Sequence, residues 1–255
     1  LAYKELEANF YPARGFVNRT NVSDITTDVG YTWCPSGGTF QRLFTGVDYQ
    51  RIESLDDALQ SQLVSIRALE VTNQTGDTFE FHYQLIDEVL DTPFEISEGV
   101  IIPVGEYAFD QYCVNFNTGE HRRIAFAGYY CGGEFFDGDI SAPGVDVTWR
   151  PSEHFRVAVG YHVSDIELPY GAFITRLASL RADVAFTNAL YWENTLQYDN
   201  VSYSMGLNSI FRWVPRAGRE VLLVVNREFV DDTRDYDFRS VTGDITFKFS
   251  YTFRF

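Results

Sequence analysis

A period of two in large apolar residues recurs along almost the whole chain and constrains the fold more than any other feature. The ending "GDITFKFSYTFRF" places Ile245 and five aromatic residues on one side and polar residues on the other. Because successive side chains of a β-strand point to opposite faces, this alternation predicts a strand with one apolar and one polar face. "DTFEFHYQLID" and "HFRVAVGYHV" repeat the pattern. The sequence therefore predicts an all-β fold.

The alternation divides the chain into about 14 strands, within a range of roughly 12–16. The predicted strands are 2–10, 23–34, 40–52, 61–72, 77–88, 106–116, 121–134, 139–149, 154–164, 173–186, 189–198, 202–213, 219–230 and 244–255. Most reach the roughly 9–11 residues that a tilted strand needs to cross a bilayer, whereas globular strands average about five or six. These lengths favour a single antiparallel transmembrane β-barrel over residues 1–255. A large soluble β-sandwich is the alternative that the alternation leaves open.

The connections between the predicted strands alternate in length. Every other connection is short and rich in turn residues, as in "NQTG", "NTGE" and "RPSE". Most of the intervening connections are longer and often acidic, namely residues 11–22, 53–60, 89–105, 164–172 and 231–243. Short periplasmic turns and longer extracellular loops are typical of bacterial outer-membrane barrels. The same parity predicts a periplasmic C-terminus.

The composition excludes one class of partner and is compatible with a barrel. The net charge of −16, from 20 basic and 36 acidic residues, argues against nucleic acid, whose phosphates are bound by an excess of Lys and Arg. The mean hydropathy of −0.18 fits strands whose lipid-facing and lumen-facing residues alternate. The longest aliphatic run, "VLLVV", is far too short for a membrane-spanning helix.

The three cysteines are predicted to be unpaired. Cys34, Cys113 and Cys131 lack the spacing of metal ligands. Cys113 and Cys131 flank a predicted hairpin turn near residues 117–120 but are not equidistant from it. In a regular hairpin they would not face each other, so we expect thiols that behave as small hydrophobic side chains.

The polar faces of the predicted strands supply the candidate lumen residues. These are Glu80, His82, Arg181, Asp183, Glu193 and Lys248. A mixture of acids and bases fits an open polar pore and a plugged interior equally well. The connection 89–105 has an apolar centre, and we expect it to fold against the rim or inward, or to dock a partner.

The sequence contains no recognisable catalytic motif and no recognisable metal-binding motif. His162 and Ser164 share a strand face but lie too far apart for direct contact, so a hydrolase based on His162 or His82 is only the second alternative function. No cofactor is expected. The acidic connections offer oxygen ligands for weak Ca²⁺ binding without a known calcium motif. The weak metal candidates are Asp137, Asp139, Asp231, Asp232 and Asp235.

The last strand resembles the signal that the barrel-assembly machinery of Gram-negative bacteria reads. That signal is a C-terminal Phe preceded by aromatic residues at alternate positions. The matching residues are Phe247, Phe249, Tyr251, Phe253 and Phe255. The resemblance implies the assembly machinery as a partner and a final strand that closes the sheet against the first.

Longer blocks resemble, in the same order, one uncharacterised family of outer-membrane proteins. They are "NFYPARGFVNRTNV", "DTPFEISEGVIIPVGEYAFDQY", "FFDGD", "VTWRPSEHFRVAVGY", "ELPYGAFITRLASLRADVAFT" and "FRWVPRAGREVLLVVNRE". Members of that family join an N-terminal carbohydrate-binding domain of the family-9 type to a C-terminal barrel. The resemblance implies that this chain is the C-terminal part of a longer barrel protein.

Together these features predict a porin-like pore, an uptake component or a membrane anchor linked to carbohydrate or glycoconjugate capture. A non-conducting structural subunit of an envelope complex is the first alternative. The expected partners are outer-membrane lipid and lipopolysaccharide, with a carbohydrate ligand or an envelope protein as a further candidate.

Overall fold

A computed structural model describes residues 1–11, 17, 19–235 and 237–252. Its strands are β1 (Ala2–Leu6), β2 (Val22–Trp33), β3 (Phe40–Ser54), β4 (Leu59–Asn73), β5 (Thr78–Leu90), β6 (Phe94–Ser97), β7 (Val100–Ile102), β8 (Gly105–Asn117), β9 (Ile124–Phe135), β10 (Gly138–Ser152), β11 (Phe155–Leu168), β12 (Gly171–Thr187), β13 (Leu190–Asp199), β14 (Ser204–Arg216), β15 (Arg219–Val230) and β16 (Arg239–Tyr251). No helix among the described residues has the length and hydropathy needed to cross a membrane.

Fourteen of the strands form one antiparallel sheet in the order β1-β2-β3-β4-β5-β8-β9-β10-β11-β12-β13-β14-β15-β16, and β6 and β7 form a separate hairpin. The all-β prediction and the strand number are thereby confirmed. Closure of the sheet between β1 and β16 is not detected among the described residues, so the barrel itself stays a prediction. Of the predicted assembly signal, Phe253 and Phe255 lie outside the described residues. Phe247, Phe249 and Tyr251 lie on β16 with exposed side chains.

The chain divides into two compact units. Unit 1 comprises Leu1–Phe116, Tyr129–Ala142 and Asp165–Phe173, and unit 2 comprises Asn117–Gly128, Pro143–Ser164 and Ile174–Phe255.

Two connections that were predicted to be long and acidic are tight turns. Residues 55–58 join β3 to β4, and residues 169–170 join β11 to β12. In the first turn the Ser54 amide donates to the Ala58 carbonyl at 2.8 Å, and Asp57 adopts a φ of 63°. Short polar side chains tolerate this left-handed conformation, which reverses the chain at once. Glu53, Asp165 and Glu167 therefore lie on strands, while Asp56 and Asp57 lie in the first tight turn.

The connection between β5 and β8 folds onto unit 1 through the β6–β7 hairpin. Ile102 is fully buried, with 0% of its surface exposed, and Val100 is buried beside it. Their cluster also contains Tyr107, Phe109, Ile166 and Leu168 and touches Ile86, Leu90, Ile96, Phe135, Phe136, Ile140 and Phe173. The apolar centre "VII" therefore supplies buried residues to unit 1. Placement of the connection at the rim or inside a barrel, or against a partner, stays a prediction.

The prediction of unpaired thiols at Cys113 and Cys131 is wrong, because the two residues form a disulfide across β8 and β9. Their Cα atoms lie 4.2 Å apart, a separation typical of directly opposed residues in an antiparallel pair. The turn is longer than predicted and occupies residues 118–123. Nearer the turn, the Thr118 amide donates to the Phe126 carbonyl at 2.8 Å. This pair and the cysteine pair are both centred on residue 122, so the two cysteines are in register with the Thr118–Phe126 pair.

Thiol labelling under denaturing conditions checks the disulfide. We expect one labelled cysteine, Cys34, before reduction and three after it, because Cys34 alone is free among the described residues. A loop closed over 18 residues stabilises a fold by about 3 kcal/mol, so C113S/C131S should lower the free energy of unfolding by about that amount. Three labelled thiols without reduction would refute the pairing, and C34S is the labelling control.

Substitution of Ile102 checks the packing of the β6–β7 hairpin. Ile102→Ala removes buried methyl groups and should destabilise the cluster by about 2–5 kcal/mol. The matched control is Ile101→Ala, because Ile101 is the next residue and is 49% exposed. In limited proteolysis of the folded protein, Ile102→Ala should be cleaved between residues 92 and 105 faster than the parent chain and the control. Rapid cleavage there in the parent chain would contradict the packed hairpin.

Candidate functional site

The apolar face of unit 2 is clearest across β13–β16, where the register places like residues in cross-strand rows. One row contains Leu190, Trp213, Val221 and Phe249, and the next contains Trp192, Phe211, Leu223 and Phe247. Along β15, Arg219 and Arg227 bound the apolar residues Val221, Leu223 and Val225. From Arg219 to Arg227 the strand rises about 27 Å at roughly 3.4 Å per residue. Large apolar side chains on this face are exposed, including Phe247 at 67%.

The opposite, polar face of unit 2 carries three of the predicted lumen residues in one ion cluster. Asp183 on β12 lies directly across from Glu193 on β13, an arrangement of like charges that is unfavourable by itself. Arg181 compensates both, since its Nε donates to Asp183 Oδ1 at 3.0 Å and its Nη2 lies 3.8 Å from Glu193 Oε1. Arg156 Nη1 adds a contact of 3.7 Å to Asp183 Oδ2. Arg181, Asp183 and Glu193 therefore form one ion cluster.

The sixth predicted residue, Lys248, lies outside this cluster. It is on β16, directly opposite Leu222 of β15. Its exposed side chain is on the polar face, as the alternation along the last strand predicts.

The polar face of unit 1 holds the other predicted lumen residues. Glu80 on β5 lies opposite Glu70 on β4. Arg42 pairs with Glu70, and His82 Nδ1 lies 3.3 Å from Glu80 Oε1. Asn115 Nδ2 also donates to Glu80 at 3.4 Å. Arg42 thus compensates the charge of Glu70, while Glu80 contacts the imidazole of His82 and the amide of Asn115.

His162 belongs to a polar cluster on the polar face that the sequence did not reveal. Its Nε2 contacts Asp146 Oδ1 at 3.4 Å. A Cβ atom at Gly160 would lie 2.4 Å from Asp146 Oδ1 and 2.6 Å from Ser179 Oγ, so glycine makes room for this convergence from three strands. Ser179 therefore approaches Gly160 from the third strand, beside Asp146. The imidazole turns Nε2 toward the carboxylate, whereas the histidine of a Ser-His-Asp triad turns Nδ1 toward it.

A groove of about 510 Å³ opens over β13–β16 in unit 2. Its floor is an amide ladder, in which Asn208 Nδ2 donates to Asn226 Oδ1 at 2.5 Å and Asn226 Nδ2 donates to Asp244 Oδ2 at 3.1 Å. Thr242 Oγ1 donates to Glu228 Oε2 at 3.2 Å at its side. Gly206 lies among these residues with no atom within 4 Å of where its Cβ would be. The groove therefore offers amide, hydroxyl and carboxylate groups to a polar solute.

The acidic residues considered as metal ligands form local turn contacts. Asp231 is 3% exposed and accepts from the Asp235 amide at 3.3 Å, while Asp232 pairs with Arg239. Asp137 accepts from Tyr170 Oη at 2.6 Å, and Asp139 on β10 is exposed. Within the part of the chain that the structure describes, no group of three or more His, Cys, Asp or Glu residues could hold a metal ion. Weak Ca²⁺ binding at these connections stays a prediction.

Sequence reasoning did not single out Asp146, Ser179, Asn208, Asn226 and Asp244 as site residues. Each of the five lies an even number of positions from a polar residue on its own strand, so the alternation alone could have placed them on the polar face. Their convergence depends on register, which residues far apart in sequence decide.

Comparisons with protein-family models, with curated proteins and with solved structures each found no match. The family resemblance noted in the sequence is therefore untested.

Tyr170 and Asp137 lie in two turns of unit 1, and their contact predicts that the tyrosine hydroxyl loses its proton at an unusually high pH. Its hydrogen bond to the Asp137 carboxylate raises the pKa of Tyr170 from 10.0 to about 12. Because the folded-state pKa is raised, the stabilisation is fully present below pH 10 and is lost as the pH rises through about 12. In an ultraviolet titration of the folded protein, Tyr170→Phe should lack one tyrosinate step near pH 12. Asp137→Asn should move that step towards pH 10, and an unchanged step in Asp137→Asn would contradict the assignment.

Proposed function

We propose that this chain is a β-barrel of the bacterial outer membrane whose polar face lines a passage for polar solutes. The observation that carries the proposal is the division of the sheet into two faces. On β15 the stretch from Arg219 to Arg227, with both arginines counted, covers nine positions, and Val221, Leu223 and Val225 lie on its apolar face. A tilted membrane strand has roughly 9–11 residues. An apolar face that exposes Phe247 and Phe249 needs lipid or another apolar partner.

The polar face supports passage more than catalysis. Its charges are held in pairs on the sheet, and the groove of unit 2 presents a continuous amide ladder. Such groups replace the hydrogen bonds that a solute loses when it leaves bulk water. A closed sheet would place these residues in its interior and leave no edge strand, as a spanning structure requires. A link to carbohydrate capture follows from the sequence resemblance alone.

Two alternatives make different predictions. A non-conducting structural subunit of an envelope complex would fold as a barrel and bind a stable partner. The apolar face supports this alternative equally, because an anchor needs the same contact with lipid. A hydrolase would depend on His162 or His82, and the contact between His162 Nε2 and Asp146 makes it the weaker alternative.

Single-channel conductance in a planar bilayer tests the proposal. The refolded chain should shift on a heat-modifiable gel and then show stable open steps. With 36 acidic against 20 basic residues in the chain, the channel should prefer cations. D183N/E193Q should lower that preference, since the variant removes two carboxylates from the polar face.

Lys248→Gln is the matched control of opposite sign, because it removes a positive charge from the same face and should raise the cation preference. If the parent chain, D183N/E193Q and Lys248→Gln show the same ion selectivity, these three residues do not line the passage. A folded protein that inserts and never conducts would favour the structural subunit.

A further inference from the structure

Two arginines face each other at one end of the apolar face of unit 2. Arg216 ends β14, Arg219 begins β15, and the register pairs them directly across the turn at residues 217–218. Both side chains are exposed. Like charges in directly opposed positions destabilise a strand pair, so an anion between them would be bound with a gain in stability. The stability of the strand pair therefore gives no reason for two arginines at these opposed positions.

The next residues in the same row fix where these charges lie. Tyr251 is directly opposite Arg219. Arg219 Nη2 donates to Tyr251 Oη at 2.9 Å, and the guanidinium carbon lies 4.7 Å from the centre of the tyrosine ring. Tyr251 continues the apolar series of Phe247 and Phe249 on β16. Arg219 is therefore held at the border of the apolar face.

Tryptophans mark the same border. Trp213 is in the adjoining row with Val221 and Phe249 and is 45% exposed. Trp149 and Trp192 of unit 2, at 48% and 41% exposed, also lie close to tight turns, at residues 153–154 and 188–189. Tryptophan and tyrosine prefer the boundary between headgroups and acyl chains, because each has an apolar ring and one polar group.

The two ends of these strands differ in charge. At the far end of β15, Glu228 and the four aspartates of the connection to β16 outnumber three arginines, Arg227, Arg234 and Arg239. The aspartates are Asp231, Asp232, Asp235 and Asp237. An anionic partner is therefore favoured at the end with Arg216 and Arg219 and disfavoured at the other.

We infer that Arg216, Arg219, Trp213 and Tyr251 bind the phosphate of an anionic phospholipid headgroup. The inference rests on the proposed function, since it requires the apolar face to lie in a bilayer. Two guanidinium groups supply charge-assisted hydrogen bonds to phosphate oxygens. Val221 and Phe249, in the adjoining row, contact the upper acyl chain. This apolar neighbourhood selects a lipid over free phosphate, because the surface is open and offers a small anion no enclosure.

Fluorescence quenching by brominated lipids tests the inference in the full-length chain. W33F/W149F/W192F leaves Trp213 as the single tryptophan, since the chain has four. In mixed bilayers we expect brominated phosphatidylglycerol to quench Trp213 more than brominated phosphatidylcholine at the same mole fraction. A juxtamembrane basic residue strengthens attraction to an anionic surface by about fivefold, so R216Q/R219Q should remove most of the preference.

The matched control is R176Q/R227Q, which changes the net charge equally at the other end of the strands. It should keep the preference, and a heat-modifiable gel shift shows that each variant has folded. Loss of the preference in both double variants would overturn the inference, because the attraction would then be a general charge effect.

Three further outcomes separate the sources of failure. Equal quenching by the two lipids would overturn the inference and leave membrane insertion intact. An absence of quenching by either lipid would overturn the proposed function and the inference with it. A preference that inorganic phosphate removes, at an ionic strength where chloride does not, would assign the site to free phosphate and overturn the lipid assignment.

Discussion

Backbone pairing between neighbouring antiparallel strands is the constraint on which the rest of this structure depends. Each strand satisfies its N–H and C=O groups only through its neighbours, so the register of one pair fixes which residues of the next pair meet. Across β13–β16 the register continues without a shift from Trp192 to Phe211, Leu223 and Phe247, so these four residues form one cross-strand row. A slip of one residue on any of these strands would exchange its polar and apolar faces.

The same pairing explains why the charges of the polar faces occur as compensated groups. Register places Glu70 opposite Glu80 in unit 1 and Asp183 opposite Glu193 in unit 2. Each acidic pair has basic neighbours on adjacent positions or strands, such as Arg42 and Arg181. Partly exposed ion pairs of this kind contribute little stability, about 0–1 kcal/mol each. Their main effect is to keep a dense array of charges on one face without net repulsion.

Arg216 and Arg219 depart from this rule, because their register opposes two like charges, and the row they share with Tyr251 contains no carboxylate among the residues that the structure describes. The contrast with the compensated pairs is what makes the row informative. In unit 2 the apolar face is thus bounded at one end by basic and aromatic residues, and its strands lead at the other end to acidic residues. A bilayer interface with anionic headgroups would supply negative charge beside Arg216 and Arg219.

The sequence by itself determined the all-β class and the number of strands in the main sheet, and it indicated a polar and an apolar side for most strands. Period-two alternation is a local property, and residues such as Phe247, Lys248 and Phe249 reveal it without knowledge of their partners. Glu80, His82, Arg181, Asp183 and Glu193 could be placed on polar faces for the same reason. Packing of the apolar segment "VII" could also be anticipated, because exposed apolar residues in a connection need cover.

Only the tertiary structure decided which residues meet. The disulfide between Cys113 and Cys131 depends on a turn longer than its sequence suggested, and Asp57 converted a predicted acidic loop into a tight reversal. The meeting of Asp146, His162 and Ser179, the amide ladder to Asp244 and the row from Arg216 to Tyr251 all depend on cross-strand register. Register is set by turn geometry and by pairing between segments distant in sequence, so no single strand contains the information that specifies it.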